Sequence, residues 1–136
     1  MTYILDACAI LALLNEELRK GYETVRGLLE SAVKGEAALY MSRINLVEVY
    51  YRYIQLKGSE VADKVMESVK DLPVRFISDI SDKVYYKTAY CKAHYSMSLA
   101  DAFLCATAKS LAAVIVTKDK EIKPAEEAKS LSVLWI

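Results

Sequence analysis

Short apolar runs alternate along this chain with segments of helical periodicity, and that alternation limits the folds it can adopt. The runs cover residues 3–5, 39–41, 113–116 and 133–136, and a further candidate strand, 74–77, is interrupted by Arg75. Continuous apolar runs of this length are typical of strands that are covered on both faces. Apolar residues repeat at helical spacing within 22–33, 61–72, 84–93 and 99–111. We therefore predict an α/β fold in which a central parallel sheet of four to five strands is flanked by helices.

The composition indicates one folded domain. The chain has 136 residues, 54% of them hydrophobic, with only four Gly and two Pro. No repeat or Pro/Gly-rich linker divides it, so we predict a single domain spanning residues 1–136. The 18 basic and 18 acidic residues cancel. This neutrality does not exclude a nucleic-acid partner, because bound metal ions would add local positive charge that the count omits.

The cysteines and the histidine limit the kinds of metal site. Cys8, Cys91 and Cys105 are far apart with no CxxC spacing, and His94 is the only histidine. A closed zinc site and a disulfide framework are therefore not expected. The N-terminal residues contain no basic segment, and Asp6 interrupts the apolar run there. We expect no signal peptide and no membrane span, and hence a cytoplasmic protein.

Four acidic residues are expected at junctions where a strand of the sheet ends and a helix begins. They are Asp6, Glu48, Asp101 and Asp119. Asp6 follows the first apolar run, and Asp119 follows the run at 113–116. Ligands of parallel α/β sheets bind outside the carboxyl ends of the strands. The pattern therefore predicts that the four carboxylates share one site.

Each acid also has a purely structural interpretation. Asp6 could cap the helix that starts near Ala7. Glu48 could form an ordinary ion pair with Arg52, four residues on. Asp101 stands three residues after Ser98, which is the spacing of a capping box. Asp119 alone would be a loop aspartate.

Taken together, the four carboxylates favour a divalent metal site. Buried carboxylates are costly unless they are paired, and several brought close together repel one another. Because only oxygen ligands are available, Mg²⁺ or Mn²⁺ is the expected ion. Two such ions about 4 Å apart would activate water and stabilise the leaving oxygen of a phosphoryl displacement. Thr117 is placed to hydrogen-bond a carboxylate or the substrate phosphate, and Glu121 to make an outer contact.

Residues that could contact a nucleic-acid substrate are less sharply defined by the sequence. Arg43 and Lys118, together with Arg52 and Lys120, lie near the acids in sequence and are candidates for phosphate contacts. Two groups of tyrosines could stack on bases. Core packing, or an interface with a second copy or another protein, is the alternative for these tyrosines, which are Tyr50, Tyr51, Tyr53, Tyr85, Tyr86 and Tyr90.

Four stretches, in this order, resemble the PIN-domain nucleases and more narrowly the VapC-type toxins of toxin–antitoxin pairs: YILDACA (3–9), NLVEV (45–49), SLADA (98–102) and VTKD (116–119). The resemblance implies a three-layer sandwich and Mg²⁺- or Mn²⁺-dependent endoribonuclease activity with one or two ions. It also implies a homodimer and a small antitoxin whose tail covers the acidic pocket. The metal ligands it assigns are Asp6, Glu48, Asp101 and Asp119, with Thr117 beside them.

One departure from the family pattern concerns Cys8. Many relatives have Ser, Thr or Asn two residues after the first Asp, and a thiol is a weaker hydrogen-bond donor than a hydroxyl. Cys8 therefore leaves open an inactive relative that keeps the fold for protein binding. An RNA-processing nuclease without an antitoxin is a separate alternative. A phospho-acceptor signalling module is disfavoured, because Asp6 has no acidic neighbour and Glu48 lies within a predicted helix.

Overall fold

Five parallel strands form one sheet in the computed structural model, which describes residues 1–15, 19–128 and 131–136. The strand order is β3-β2-β1-β4-β5. All five predicted runs are strands, so the predicted fold class is confirmed. Their bounds are β1 Thr2–Leu5, β2 Ala38–Ser42, β3 Arg75–Ile77, β4 Val114–Thr117 and β5 Ser132–Trp135.

Helices cover both faces of this sheet. They are α1 Ala7–Asn15, α2 Arg19–Val33, α3 Arg43–Lys57, α4 Ser59–Lys70, α5 Asp82–His94, α6 Leu99–Leu111 and α7 Lys123–Glu127. A short 3₁₀ turn, Lys120–Ile122, precedes α7. The four predicted helices correspond to α2, α4, α5 and α6. Among the described residues, no helix is both long enough and apolar enough to cross a membrane.

The alternation of side chains along the strands produces two separate cores. Leu5 and Val116 pack with residues of α1 to α4, whereas Ile4 and Ile115 pack with residues of α5 to α7. These four side chains are fully buried. Because successive residues of a strand point to opposite faces, the sheet lies between two helical layers. The three-layer sandwich is therefore observed.

The topology creates a crevice beside β1. From β1 the chain builds outward through β2 to β3, and it then returns to place β4 on the other side of β1. β1 and β4 are directly paired, with Leu5 opposite Val116. In open α/β sheets such a switch in strand order opens a crevice at the carboxyl ends of the two strands.

The expectation that all four acids stand at strand-to-helix junctions is wrong for two of them. Asp6 and Asp119 do follow the ends of β1 and β4, but Glu48 lies within α3. Asp101 belongs to the first turn of α6, which follows another helix. Since α6 ends at Leu111, just before β4 begins, it runs antiparallel to that strand. Its first turn therefore reaches the carboxyl edge of the sheet.

The residue that follows α6, Ala112, can be used to test how this helix ends before β4. Ala112 has φ 49° and ψ 43°, a left-handed conformation that costs a non-glycine residue about 1–2 kcal/mol. Its N–H and that of Ala113 close the helix on the carbonyls of Lys109 and Ala108. We expect Ala112→Gly to stabilise the protein by roughly 0.5–1 kcal/mol in urea unfolding. The same change at the exposed Ala89 within α5 should destabilise it by a similar amount, and equal effects at both positions would contradict this account.

Candidate active site

Three carboxylates converge at the crevice between β1 and β4. Asp6, Asp101 and Asp119 each place one ligand atom within 4.8 Å of the others. Asp6 and Asp101 are each only 4% exposed, and Asp119 is half-buried. The structure thus brings together three of the four acids that the sequence singled out.

Asp6 is held on both sides by hydrogen bonds. Its Oδ1 accepts the N–H of Ala7 at 2.7 Å, and its Oδ2 accepts the hydroxyl of Thr117 at 2.7 Å. Its own N–H donates to the carbonyl of Val116 at 3.1 Å. One carboxylate oxygen therefore bonds the first N–H of α1, whereas among the described residues the bond to the second or third N–H of the helix that defines a side-chain cap is not made.

Thr117 links the acids of the two strands. Its fully buried hydroxyl donates to Asp6 and accepts the N–H of Asp119 at 2.9 Å. The Oδ1 of Asp119 in turn accepts the N–H of Glu121 at 3.0 Å, which starts the 3₁₀ turn. The predicted contact of Thr117 with a carboxylate is present, and its hydroxyl is used within the protein.

Cys8 occupies the side of the site next to Thr117. Its Sγ lies 3.5 Å from Asp6 Oδ2 and 3.5 Å from Thr117 Oγ1, and it accepts the N–H of Lys118 at 3.3 Å. Burial, reinforced by the negative charge of Asp6, raises the pKa of the thiol to about 12. Cys8 is therefore a neutral thiol that packs against the carboxylates.

Asp101 makes only half of the predicted capping box. Its N–H donates to Ser98 Oγ at 3.1 Å, but the N–H of Ser98 donates to Glu121 Oε2 at 3.2 Å rather than to Asp101. Within the described part of the chain, Asp101 Oδ2 is buried without a hydrogen-bond partner. Glu121 thus takes over the capping contact and leaves a carboxylate oxygen free.

The protonation of the site reflects this crowding. Burial, followed by contact with Glu121 and by the negative charges of Asp119 and Asp6, raises the pKa of Asp101 to about 8. Burial also raises the pKa of Asp6, although hydrogen bonds from Thr117 and Ala7 partly oppose it. A divalent cation would relieve the same repulsion. The all-oxygen donor set and the unpartnered Oδ2 of Asp101 fit Mg²⁺ or Mn²⁺.

Glu48 lies at the edge of this site and not within the group of three. A cavity of about 320 Å³ beside Asp6 and Asp119 is also lined by Glu48, Arg52, Lys118 and Lys120. Glu48 accepts a hydrogen bond from Arg52 Nη2 at 2.9 Å, so the ion pair considered from the sequence is present. A larger cavity of about 620 Å³, lined by Met1 and Glu36 among others, lies away from these acids.

The basic residues that were predicted to contact phosphates line two different cavities. Lys118 lines the acidic cavity, as do Arg52 and Lys120. Arg43 instead lines a different cavity of about 440 Å³, together with Tyr51 and other residues of α3 and α4. The structure therefore does not bring Arg43 to the acids.

Sequence reasoning gave no role to Asn45, three residues before Glu48 on α3. Asn45 is fully buried, and neither atom of its amide group has a hydrogen-bond partner among the described residues. A polar residue inside an apolar helical face was the signal available in the sequence. The capping contact of Glu121 was also missed, because Ser98 lies 23 residues away along the chain.

Comparison with known proteins agrees with this geometry. The family model of the PIN domain matches residues 3–127, and the chain belongs to that family. The family resemblance predicted from the four stretches is thereby confirmed. No curated protein matches the chain.

Solved structures with the same fold include members of toxin–antitoxin complexes. VapBC2 from Rickettsia felis, bound to a DNA fragment from their promoter, is 17% identical, with 98% of each chain covered and a TM-score of 0.76. Mycobacterium tuberculosis VapC20, described as a sarcin–ricin loop cleaving toxin, is 18% identical over 92% of this chain and 95% of its own, with a TM-score of 0.69. FitAcB from Neisseria gonorrhoeae is 20% identical over 98% and 96%, with a TM-score of 0.68. At these identities the likeness is one of fold.

The raised pKa of Asp101 leads to a pH-dependent stability in metal-free buffer. The folded state holds the proton up to about pH 8, whereas the unfolded chain releases it near pH 4. The stabilisation is therefore complete below about pH 4 and is lost as the pH rises through about 8, with a slope of up to about 1.4 kcal/mol per pH unit. Urea unfolding in EDTA between pH 5 and 8 should show this decline. Asp101→Asn should flatten it, and the exposed control Asp71→Asn should not; parallel curves for all three proteins would contradict the assignment.

Metal binding should restore the stability that the metal-free protein loses as the pH rises. Mn²⁺ must displace the proton from Asp101, so its stabilising effect should be larger at pH 8 than at pH 6. At a hundredfold excess over Kd, one bound ion adds about 2.7 kcal/mol to the free energy of unfolding. Thermal melts of wild type and Asp71→Asn should show this shift, while Asp101→Asn should lose most of it. A flat response in the wild type would count against a metal site.

Proposed function

We propose that this protein is a Mg²⁺- or Mn²⁺-dependent endoribonuclease and the toxin of a toxin–antitoxin pair. The observation that carries the proposal is the convergence of Asp6, Asp101 and Asp119 at the switch in strand order, with a buried oxygen of Asp101 left unpartnered. Membership of the PIN domain family agrees with a nuclease. We further propose that residues 1–136 act as one domain in the cytoplasm.

Asp6, Asp101 and Asp119 would hold one ion directly, and Glu48 would be a ligand of the same ion or of a second one. When bound, such an ion supplies Lewis-acid stabilisation of phosphoryl oxygens and acidifies a coordinated water. Thr117 fixes the orientation of Asp6 by its hydrogen bond, so that the free lone pairs of this carboxylate stay directed at the site. Arg52 holds Glu48 in the same way, by donating a hydrogen bond to its carboxylate.

The rim of the cavity suits a phosphodiester backbone. Arg52, Lys118 and Lys120 line the same cavity as Asp6 and Asp119, so cations surround the carboxylates. Arg and Lys contacts to phosphates position a nucleic acid without reading its sequence. We propose that Lys118 contacts the phosphate next to the cleaved bond, while Arg43 contacts RNA only at a distance from the acids.

A protein partner is supported by an apolar groove between α3 and α4. Val47, Tyr51 and Ile54 are exposed there and line the cavity of about 440 Å³ that also contains Arg43. Exposed apolar patches of this kind are typical of protein interfaces. VapBC-5 from Mycobacterium tuberculosis, which shares the fold, is described as a member of the VapBC family of toxin–antitoxin systems, and a structure from Klebsiella pneumoniae is described as a toxin–antitoxin complex. We therefore propose a small antitoxin as partner and a homodimer as the active assembly.

The proposed activity can be tested by RNA cleavage. A pool of structured RNAs should be cut by wild type with Mn²⁺ or Mg²⁺ and not with EDTA. Asp101→Asn keeps the shape of the side chain but removes its charge, so its cleavage rate should fall by about a hundredfold or more. Asp71→Asn, an exposed Asp→Asn change at the end of α4, serves as the matched control and should cut like wild type.

Two outcomes would change the conclusion. Undiminished cleavage by Asp101→Asn, with a lowered melting temperature, would mean that Asp101 serves mainly to cap α6. Absence of cleavage by wild type, together with no stabilisation by Mn²⁺, would favour the inactive binding module. A neighbouring short reading frame with a DNA-binding segment would favour the toxin over an RNA-processing nuclease.

A further inference from the structure

One face of α5 carries exposed aromatic rings between lysines. Lys83, Tyr86, Lys87 and Tyr90 are spaced at i, i+3, i+4 and i+7, so they share one side of the helix. We call these four residues the tyrosine–lysine face. Tyr86 is 69% exposed and Tyr90 is 55% exposed, so core packing does not account for either ring. The buried positions of α5 form a separate stripe, at Val84, Thr88 and Cys91.

The four residues of the tyrosine–lysine face include two cations and no acid. In the part of the chain that the structure describes, neither Lys83 nor Lys87 forms an ion pair, and the same is true of Lys109 on the adjacent α6. Desolvation and the nearby charges of Lys83 and Lys109 lower the pKa of Lys87, so these three amines lie close enough to repel one another. Asp82 is the one acidic residue in the sequence of α5. A ligand that brings negative charge would relieve this repulsion.

The end of α5 is joined by a short loop to the helix that carries Asp101. His94, at the end of α5, stacks on Tyr90 with the ring centroids 3.9 Å apart and an angle of 21° between the rings. Only residues 95–98 separate His94 from the start of α6, whose first turn contains Asp101. The five residue steps from His94 to Leu99 span at most about 18 Å. A single strand lying on α5 would therefore leave the helix within about this distance of the first turn of α6, which contains Asp101.

We propose that the tyrosine–lysine face of α5 binds single-stranded RNA, with bases stacked on Tyr86 and Tyr90 and phosphates paired with Lys83 and Lys87. The assignment rests on the proposed nuclease function and makes an unpaired strand its substrate class. Planar rings next to cations are what sequence-tolerant single-strand binding requires. A paired strand keeps its bases stacked inside the duplex and cannot use the rings.

A second copy of the chain fits this surface less well. A two-fold interface places the same patch against itself, so the lysines of one copy would approach the cationic patch of the other. Like charges brought together in this way oppose association. The groove on α3 and α4 is lined by Arg43 and Lys70 as well, but it also exposes the aliphatic side chains of Val47 and Ile54, and therefore suits a protein partner better.

Binding of a fluorescein-labelled oligouridine, measured by anisotropy in EDTA, tests the proposal without cleavage. The double variant Tyr86→Ala/Tyr90→Ala should weaken binding by at least about fivefold for each ring that is lost. The matched variant Tyr86→Phe/Tyr90→Phe keeps both rings and should bind like wild type. A blunt-ended RNA duplex should bind all three proteins alike. Equal melting temperatures would exclude a folding effect, as expected for exposed side chains.

The contribution of the two lysines to binding can be measured separately, from the salt dependence of the affinity. Lys83→Gln/Lys87→Gln should reduce the slope of log affinity against log salt by about 0.7 for each phosphate contact that is lost. In Mn²⁺, the tyrosine-to-alanine variant should raise KM for single-stranded RNA and leave kcat near wild type, because the carboxylates are untouched.

Three results would overturn the proposal. The first is equal oligouridine binding by wild type and the tyrosine-to-alanine variant. The second is dissociation of a dimer by that variant with RNA binding unchanged, which would make the face a contact between copies. The third is no oligouridine binding by wild type in EDTA. Metal-dependent cleavage that depends on Asp101 would still support the nuclease, so the failure of this proposal and of the proposed function are distinguishable.

Discussion

The buried hydrogen bond from Thr117 Oγ1 to Asp6 Oδ2 is the interaction on which the site depends. It joins the ends of β1 and β4, the two neighbouring strands from which the chain departs in opposite directions. Without this donor, Asp6 would have a buried oxygen lacking its closest hydrogen bond, at a cost of about 1–3 kcal/mol or more for a charged group. The same hydroxyl accepts the N–H of Asp119, so one atom positions two carboxylates. The geometry of the sheet and that of the acids are therefore set together.

Within the described residues, the carboxylate of Asp101 lacks a stabilising capping bond and stays available to a ligand. A capping box at the start of α6 would satisfy Asp101 through the N–H of Ser98, but Glu121 makes that contact. The cap is preserved, and the carboxylate of Asp101 stays next to Asp6 and Asp119, where burial and repulsion raise its pKa. Departures from local rules of this kind are expected at functional sites, where the rest of the fold compensates.

The sequence predicted the strands well because parallel strands buried on both faces require continuous apolar runs. It predicted α2, α4, α5 and α6 from their periodicity, whereas α1 was anticipated only as a helix start near Ala7. The segment ACAILALLN is apolar almost throughout, so it has no periodic signal even though it is a helix. Local propensity and pattern suffice where one face is buried and the other is polar.

Positions at the site were predictable only where a strand end determined them. Asp6 and Asp119 follow from the rule that ligands gather at the carboxyl edge. Asp101 reaches the carboxyl edge because two helices, α5 and α6, connect β3 to β4. With two helices in this connection, α6 begins at the carboxyl edge of the sheet. Arg43 and Glu48 are five residues apart on α3, and at 3.6 residues per turn they lie on different faces. Nearness in sequence therefore misplaced Arg43, while the four-residue spacing of Glu48 and Arg52 correctly anticipated their ion pair.

The formal charge of zero conceals a separation of charge that matters for any RNA substrate. Three carboxylates share the crevice, and Arg52, Lys118 and Lys120 stand around it. Without a cation, the carboxylates that remain ionised would repel a phosphodiester at the point where it must be cut. Attraction must then come from the rim and from surfaces such as α5, and approach to the acids requires the ion. In this arrangement the proposed metal would be needed for the substrate to reach the site as well as for the chemistry, so RNA held in its absence would lie on the lysines and not in the crevice.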